Sequence, residues 1–401
     1  MKSTTRHSLL YSSILVLILG LSLQAHAQSY NVLHNKNYEI EARMHYGYLY
    51  FQSDTYHSAL SRYSTHAPSY EVSLHRATFG KNRWEVLYNY PSIGLTFYYS
   101  QLGNTTPTDE LGDVFALYPF INFPLNRNPN SKLTFKLGVG LSYLTNKFDP
   151  VENWHNYAIG SHFNAAVNLS FEYRERITDR LHWATSFGLT HFSNGATMSP
   201  NMGINIFSTA TGFSWFLRKP NPLLDKKLRP KLYLFEFDGK RFFVTDLQYT
   251  FGYKDLSQEY GTHNFFFVHD IAANIMLQLT LRDRLGIGIE FVNDNSYKAI
   301  HPEWLNEIGF LLSYEMLLDR VSFMFNLGIR NNEKMPAKAF LFYQKLAARC
   351  YFTDNLFATL AFTTYDIKAD FISFGFGYLL THKYYPHNHE KKNSRSPIFP
   401  H

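Results

Sequence analysis

Residues 181–193 read Leu-His-Trp-Ala-Thr-Ser-Phe-Gly-Leu-Thr-His-Phe-Ser. Counted by twos, one face carries Leu181, Trp183, Thr185, Phe187, Leu189, His191 and Ser193. The other carries His182, Ala184, Ser186, Gly188, Thr190 and Phe192. Successive side chains on a strand point to opposite faces, so this is a strand with one bulky apolar face and one face of small and polar groups. A base and a hydroxyl sit at the tip of the apolar face. In a water-soluble protein that arrangement is odd. In a barrel whose apolar face meets lipid, it sets a base and a nucleophile at the depth of a lipid ester.

The same alternation recurs along the chain. Leu133, Phe135, Leu137, Val139, Leu141 and Tyr143 interleave with Lys132, Thr134, Lys136, Gly138, Gly140 and Ser142. Phe374, Phe376, Tyr378 and Leu380 interleave with Ser373, Gly375 and Gly377. An apolar, aromatic outside and a polar or small inside is the pattern of transmembrane β-barrels. A soluble sandwich also alternates, but the many segments of about ten residues favour the barrel. Aromatics make up 17% of the chain, and no apolar run of helix-spanning length follows residue 27, so transmembrane helices are not expected.

Sixteen candidate strands are counted: 37–52, 68–79, 91–102, 111–124, 131–145, 161–174, 181–193, 204–217, 241–253, 264–281, 284–293, 306–317, 320–330, 338–352, 355–366 and 369–381. The fold class expected is all-β, an antiparallel outer-membrane-type barrel of about 14–16 strands. The alternative is an eight-stranded barrel followed by a second β domain. Short turns repeat one idiom, as at Asp179-Arg180-Leu181 and Asp283-Arg284-Leu285, where Asp is expected to bond nearby amides. The longer connections at 53–67, 147–160 and 294–306 are expected to lie on the outer side; with the mature N-terminus inside, strand 181–193 then runs outward and sets His191 and Ser193 near the outer-leaflet interface.

Around these strands lie other segments. Lys2 and Arg6, an apolar run Leu9–Leu23 and Ala25-His26-Ala27 form a secretory signal over 1–27, so the mature chain is expected to start at Gln28 and to reach the outer membrane of a Gram-negative-type bacterium. Barrel strands occupy 28–217, a Pro- and Lys-rich connection 218–240, further strands 241–382, and a polar tail 383–401. A net charge of +6 does not imply nucleic acid, and the single cysteine, Cys350, excludes an intrachain disulfide. His, Asp and Glu show no metal-ligand spacing, and no cofactor is expected.

Residues 191–205 read His-Phe-Ser-Asn-Gly-Ala-Thr-Met-Ser-Pro-Asn-Met-Gly-Ile-Asn. This resembles the lipid A 3-O-deacylase family of outer-membrane acyloxyacyl hydrolases, whose signature is H-x-S-N, then P-N-x-G-I and an acidic residue. His191, Ser193, Asn194, Pro200, Asn201, Gly203 and Ile204 match in type and spacing. The resemblance covers about 28–217 and implies an eight-stranded barrel that cuts an ester-linked acyl chain from lipid A with a Ser-His-Glu triad on its lipid-facing wall. No counterpart is recognised over 218–401. One departure matters: the acidic position is Asn205 here. By period 2 it faces outward with Phe207 and Phe213, so its orientation suits the triad while its charge is missing. An Asn carbonyl can still accept from a His ring N–H and fix the tautomer.

The expected function is therefore an ester hydrolase acting on lipid A or another outer-leaflet glycolipid, embedded in the membrane. Ser193 is the nucleophile, His191 the base and Asn205 the third member. Asn194, Gly195 and Asn201 are candidates to hold the oxyanion. A porin-like transport barrel and an inactive structural barrel are the alternatives, and a plain polar strand end is the simplest reading of His191 and Ser193. His269 faces outward without a recognised partner. Lys345, Arg349, Glu172, Glu290 and Glu315 are expected inside the barrel, and Cys350 outside as a small apolar group. Oligomeric state is not readable from the sequence.

Overall fold

The computed structural model describes residues 38–50, 65–102, 111–125, 132–220, 242–255, 264–298, 306–331, 340–365 and 368–382. The signal segment, the mature start, most of the connection 218–240 and the tail lie outside them. The first eight strands are β1 Tyr38–Tyr50, β2 His66–Arg76, β3 Ser92–Gln101, β4 Asp113–Pro124, β5 Leu133–Leu144, β6 Phe163–Arg176, β7 Leu181–Ser193 and β8 Ile204–Phe216. The next eight are β9 Phe243–Asp255, β10 Phe265–Gln278, β11 Asp283–Asp294, β12 Asn306–Leu318, β13 Val321–Asn331, β14 Phe340–Tyr351, β15 Leu356–Tyr365 and β16 Lys368–His382. One short helix, α1 Arg83–Leu87, joins β2 to β3. All neighbours are antiparallel, with β1 paired to β8 (Ile40 opposite Trp215) and β9 paired to β16 (Leu247 opposite Tyr378).

The sixteen strands thus close as two barrels of eight, not as one barrel of 14–16. The alternation of side chains says which face each residue takes, and both closures satisfy it equally. What divides the chain is the long-range pairing of β8 back onto β1, which leaves no free edge for β9.

Closure at eight strands leaves an interior just wide enough for side chains, and both interiors are filled. In the first barrel Arg43 Nη2 donates to Glu172 Oε1 at 2.6 Å, and Lys136 Nζ donates to Glu71 Oε1 at 2.6 Å. In the second, Arg284 Nη1 donates to Glu315 Oε2 at 2.8 Å, Arg349 Nη1 bonds Asp246 Oδ2 at 3.1 Å, and Lys345 bridges Asp270 and Glu290. All of these side chains are buried. Taking ions out of water costs several kcal/mol each, so such groups persist inside only when paired. The inward placement of Glu172, Glu290, Glu315, Lys345 and Arg349 agrees with the period-2 count. The wide aqueous lumen that sixteen strands in one ring would enclose does not form.

The outward faces are apolar and exposed, as with Met44 at 62%, Ile287 at 67% and Leu327 at 62%. That is the surface of an outer-membrane-type barrel. His269 lies on it and is not alone: its Nδ1 is 2.8 Å from the Tyr249 hydroxyl and the two rings stack. In the turns at Asp179 and Asp354, the bonding to amides comes from a threonine just ahead of the Asp. Thr178 Oγ1 accepts from the Leu181 N–H at 3.0 Å, and Thr353 Oγ1 from the Leu356 N–H at 2.9 Å.

Candidate active site

β7 delivers His191 and Ser193 to the outward face, two residues apart. The β7–β8 register sets Asn205 directly opposite His191. Across that pair His191 Nδ1 lies 2.8 Å from Asn205 Oδ1. An amide oxygen can only accept, so the bond fixes the proton on Nδ1 and leaves Nε2 as the basic nitrogen. The ring packs on Gly203, where an added Cβ would come within 2.8 Å of His191 Cε1 and where φ is +77°. A side chain there would both strain the backbone and push the imidazole off its place.

Ser193 Oγ makes its bonds on the other side. It donates to Asn201 Oδ1 at 3.3 Å, accepts from Asn201 Nδ2 at 3.0 Å and accepts from the Gly195 N–H at 3.1 Å. It makes no hydrogen bond to His191. Catalytic pairs are often long or misaligned without substrate. Asn201 Oδ1 also accepts from the Asn194 N–H at 3.0 Å, so one amide side chain ties the serine to the residue after it.

Of the three candidate oxyanion groups, Gly195 and Asn201 converge on Ser193 Oγ. The Asn194 side chain does not: its Nδ2 donates to Ser161 Oγ at 2.9 Å and to the Met198 carbonyl at 2.8 Å. It pins the loop that follows β7. That loop is held on a second side by the β5–β6 connection, where the Gly203 N–H donates to the Ala158 carbonyl at 3.1 Å.

The third support was invisible to sequence reasoning. It comes from the second barrel. The Asp255 N–H donates to the Ala196 carbonyl at 3.0 Å, the Ser199 N–H donates to Asp255 Oδ2 at 3.1 Å, and Ser199 Oγ donates to the Asp255 carbonyl at 2.6 Å. Gly195 lies against Ile372 and Phe362. No local motif announces contacts between a loop at 195–199 and residues more than fifty positions on. Among the described residues, no group of three His, Cys, Asp or Glu is placed to hold a metal ion.

Two family models match the chain. Residues 69–214 match lipid A 3-O-deacylase (PagL), and residues 243–383 match the acyloxyacyl hydrolase C-terminal domain. The second match corrects the expectation that 218–401 has no counterpart. That half of the sequence holds no string like His191–Asn205 by which to recognise it. No curated protein matches. Among solved structures, a BenF-like porin from Pseudomonas fluorescens Pf-5 is 9% identical, with 87% of this chain and 98% of that chain covered and a TM-score of 0.25. OccK5 (OpdH) from Pseudomonas aeruginosa is 9% identical, with 86% and 98% covered and a TM-score of 0.21. Such likeness says nothing of closure or function. The two family models lie one on each barrel and together span most of the described strands: the chain belongs to the lipid A 3-O-deacylase family of outer-membrane-type acyloxyacyl hydrolases.

Proposed function

We propose that this protein removes an ester-linked acyl chain from lipid A, or from a related outer-leaflet glycolipid, by a Ser/His mechanism on the outer wall of the first barrel. The observation that carries the reading is the 2.8 Å pair of His191 Nδ1 and Asn205 Oδ1, two residues from Ser193 and above an exposed apolar wall. It gives the imidazole a fixed tautomer with Nε2 free to take a proton.

On substrate arrival Ser193 turns about χ1 from Asn201 toward His191 Nε2. Its Oγ attacks the ester carbonyl and its proton passes to Nε2. The Gly195 N–H and Asn201 Nδ2, already aimed at Oγ, donate to the oxygen that becomes negative. The imidazolium then protonates the leaving alcohol on the sugar, and an acyl-serine remains. Water, deprotonated by His191, releases the fatty acid and restores Ser193. The acyl chain lies along the apolar wall of Leu189 and Phe187 below the site.

The test is direct. Outer membranes treated with the full chain should yield lipid A lighter by one acyl chain in mass spectra, and Ser193→Ala should abolish the loss. Identical spectra from wild type and Ser193→Ala refute the hydrolase. They would favour the reading that Asn205 points to, a family member that lost activity with its acid and persists as a structural barrel.

A further inference from the structure

The exposure of the two barrels falls toward one place. Along the outward face of β7, Phe187 is 57% exposed, Leu189 and His191 are half-buried, and Ser193 is 4% exposed. Along the outward face of β16, read toward the same end, Tyr378 and Phe376 are exposed while Phe374 and Ile372 are half-buried. At this end the two barrels touch. An added Cβ on Gly195 would come within 2.3 Å of Ile372 Cδ1 and 3.4 Å of Phe362 Cε2. Beside this contact, the buried Asp255 at the tip of β9 takes both ends of the 196–199 turn through three hydrogen bonds. The barrels meet again at the turn end, where Tyr88 Oη donates to the Arg282 carbonyl at 3.3 Å and the Arg282 guanidinium lies 5.8 Å from the Tyr88 ring centre. Two meeting points at opposite ends fix one wall against the other.

We infer that the tip of the second barrel is part of the active site of the first, with Asp255 as a positioning residue for the loop that carries the Gly195 N–H and Asn201. Asp255 touches neither Ser193 nor His191. It acts by holding Ala196 and Ser199, and hence the two donors that flank Ser193 Oγ. A loop free to drift would still bind the lipid along the apolar wall, but would present its donors in the wrong place as the oxyanion forms. The defect therefore belongs to kcat, not to KM. This inference rests on the deacylase reading above, and its test separates the two.

The full chain in outer membranes is assayed on lipid A for kcat and KM. Asp255→Ala should lower kcat about tenfold or more with KM little changed, the size expected for losing a hydrogen bond to a charged group. Asp255→Asn keeps an acceptor oxygen for the Ser199 N–H and should recover most of the rate, which a general folding defect would not allow. A second measurement needs no activity. With Cys350 changed to Ala, Ala196→Cys together with Asp255→Cys should form a disulfide on mild oxidation, seen as a gel shift reversed by reductant. The backbone bond from the Asp255 N–H to the Ala196 carbonyl at 3.0 Å makes the two residues neighbours, and disulfides close α-carbon gaps up to about 7 Å. Unchanged kcat in Asp255→Ala, or no cross-link, overturns the inference. A wild-type chain that releases no acyl chain overturns the deacylase reading and this role of Asp255 together. Cross-linking in that case would show that the seam itself stands.

Discussion

Asn205→Asp restores a carboxylate opposite His191 without changing side-chain length, so the 2.8 Å contact to Nδ1 can persist. The gain is realised when the imidazole becomes charged after taking the Ser193 proton. Two unit charges about 4 Å apart attract by about 4 kcal/mol at the effective dielectric of a site near a protein surface. Part of this is offset by removing the carboxylate from water, because Asn205 is half-buried. A charge-assisted bond exceeds a neutral one by about 1 kcal/mol or more. The net is about 1–3 kcal/mol in the transition state, or about 5- to 150-fold in kcat. The assay is initial-rate release of fatty acid from lipid A in mixed micelles, with wild type, Asn205→Asp and Asn205→Leu prepared alike. Asn205→Leu should lose activity because the ring tautomer is no longer held. The reasoning fails if Asn205→Asp turns over no faster than wild type while Ser193→Ala is inactive. His191 would then not carry the charge assigned to it.

Three further outcomes are expected. Gly203→Ala should cut activity sharply, since about 1–2 kcal/mol of left-handed backbone strain adds to the contact with His191 Cε1; unaltered turnover would show that ring position is unimportant. Gly195→Ala should be impaired for two reasons, its φ of +65° and the 2.3 Å approach to Ile372, and Ile372→Ala should relieve only the second, recovering about 1–3 kcal/mol by activity or thermal melting; no recovery in the double variant would mean that the barrels do not meet there. Lys136→Met takes from Glu71 its paired lysine, leaving it the Ser73 and Tyr118 hydroxyls, and should destabilise that barrel by about 3 kcal/mol in urea unfolding, while a shift below about 1 kcal/mol would show that the lumen pairs are dispensable.

Period-2 alternation exposed sixteen strands and their faces because each strand must present one side to an apolar medium and the other to a packed polar interior. It did not reveal how many strands share a ring, since β8 pairing with β1 is a contact between residues more than 150 positions apart. At the site, period 2 puts His191, Ser193 and Asn205 on one outward face, while the role of each comes only from the family resemblance. Asn194 was not assigned rightly from type. A strand-end amide next to a serine reads as an oxyanion donor, yet its side chain follows the inward face and binds Ser161 and Met198. Asp255, Ile372 and Phe362 could not be found at all, because nothing local distinguishes a barrel tip that meets a neighbour from one that meets solvent.

Each ring satisfies its own backbone, so the second half of the chain could be gained or shed without baring an unpaired strand to hydrocarbon. What the covalent join between residues 217 and 243 contributes is proximity. Tethered partners meet at millimolar effective concentrations, and a junction built from a few hydrogen bonds at each end and a few apolar contacts can then stay closed where separate proteins diffusing in the membrane would drift apart.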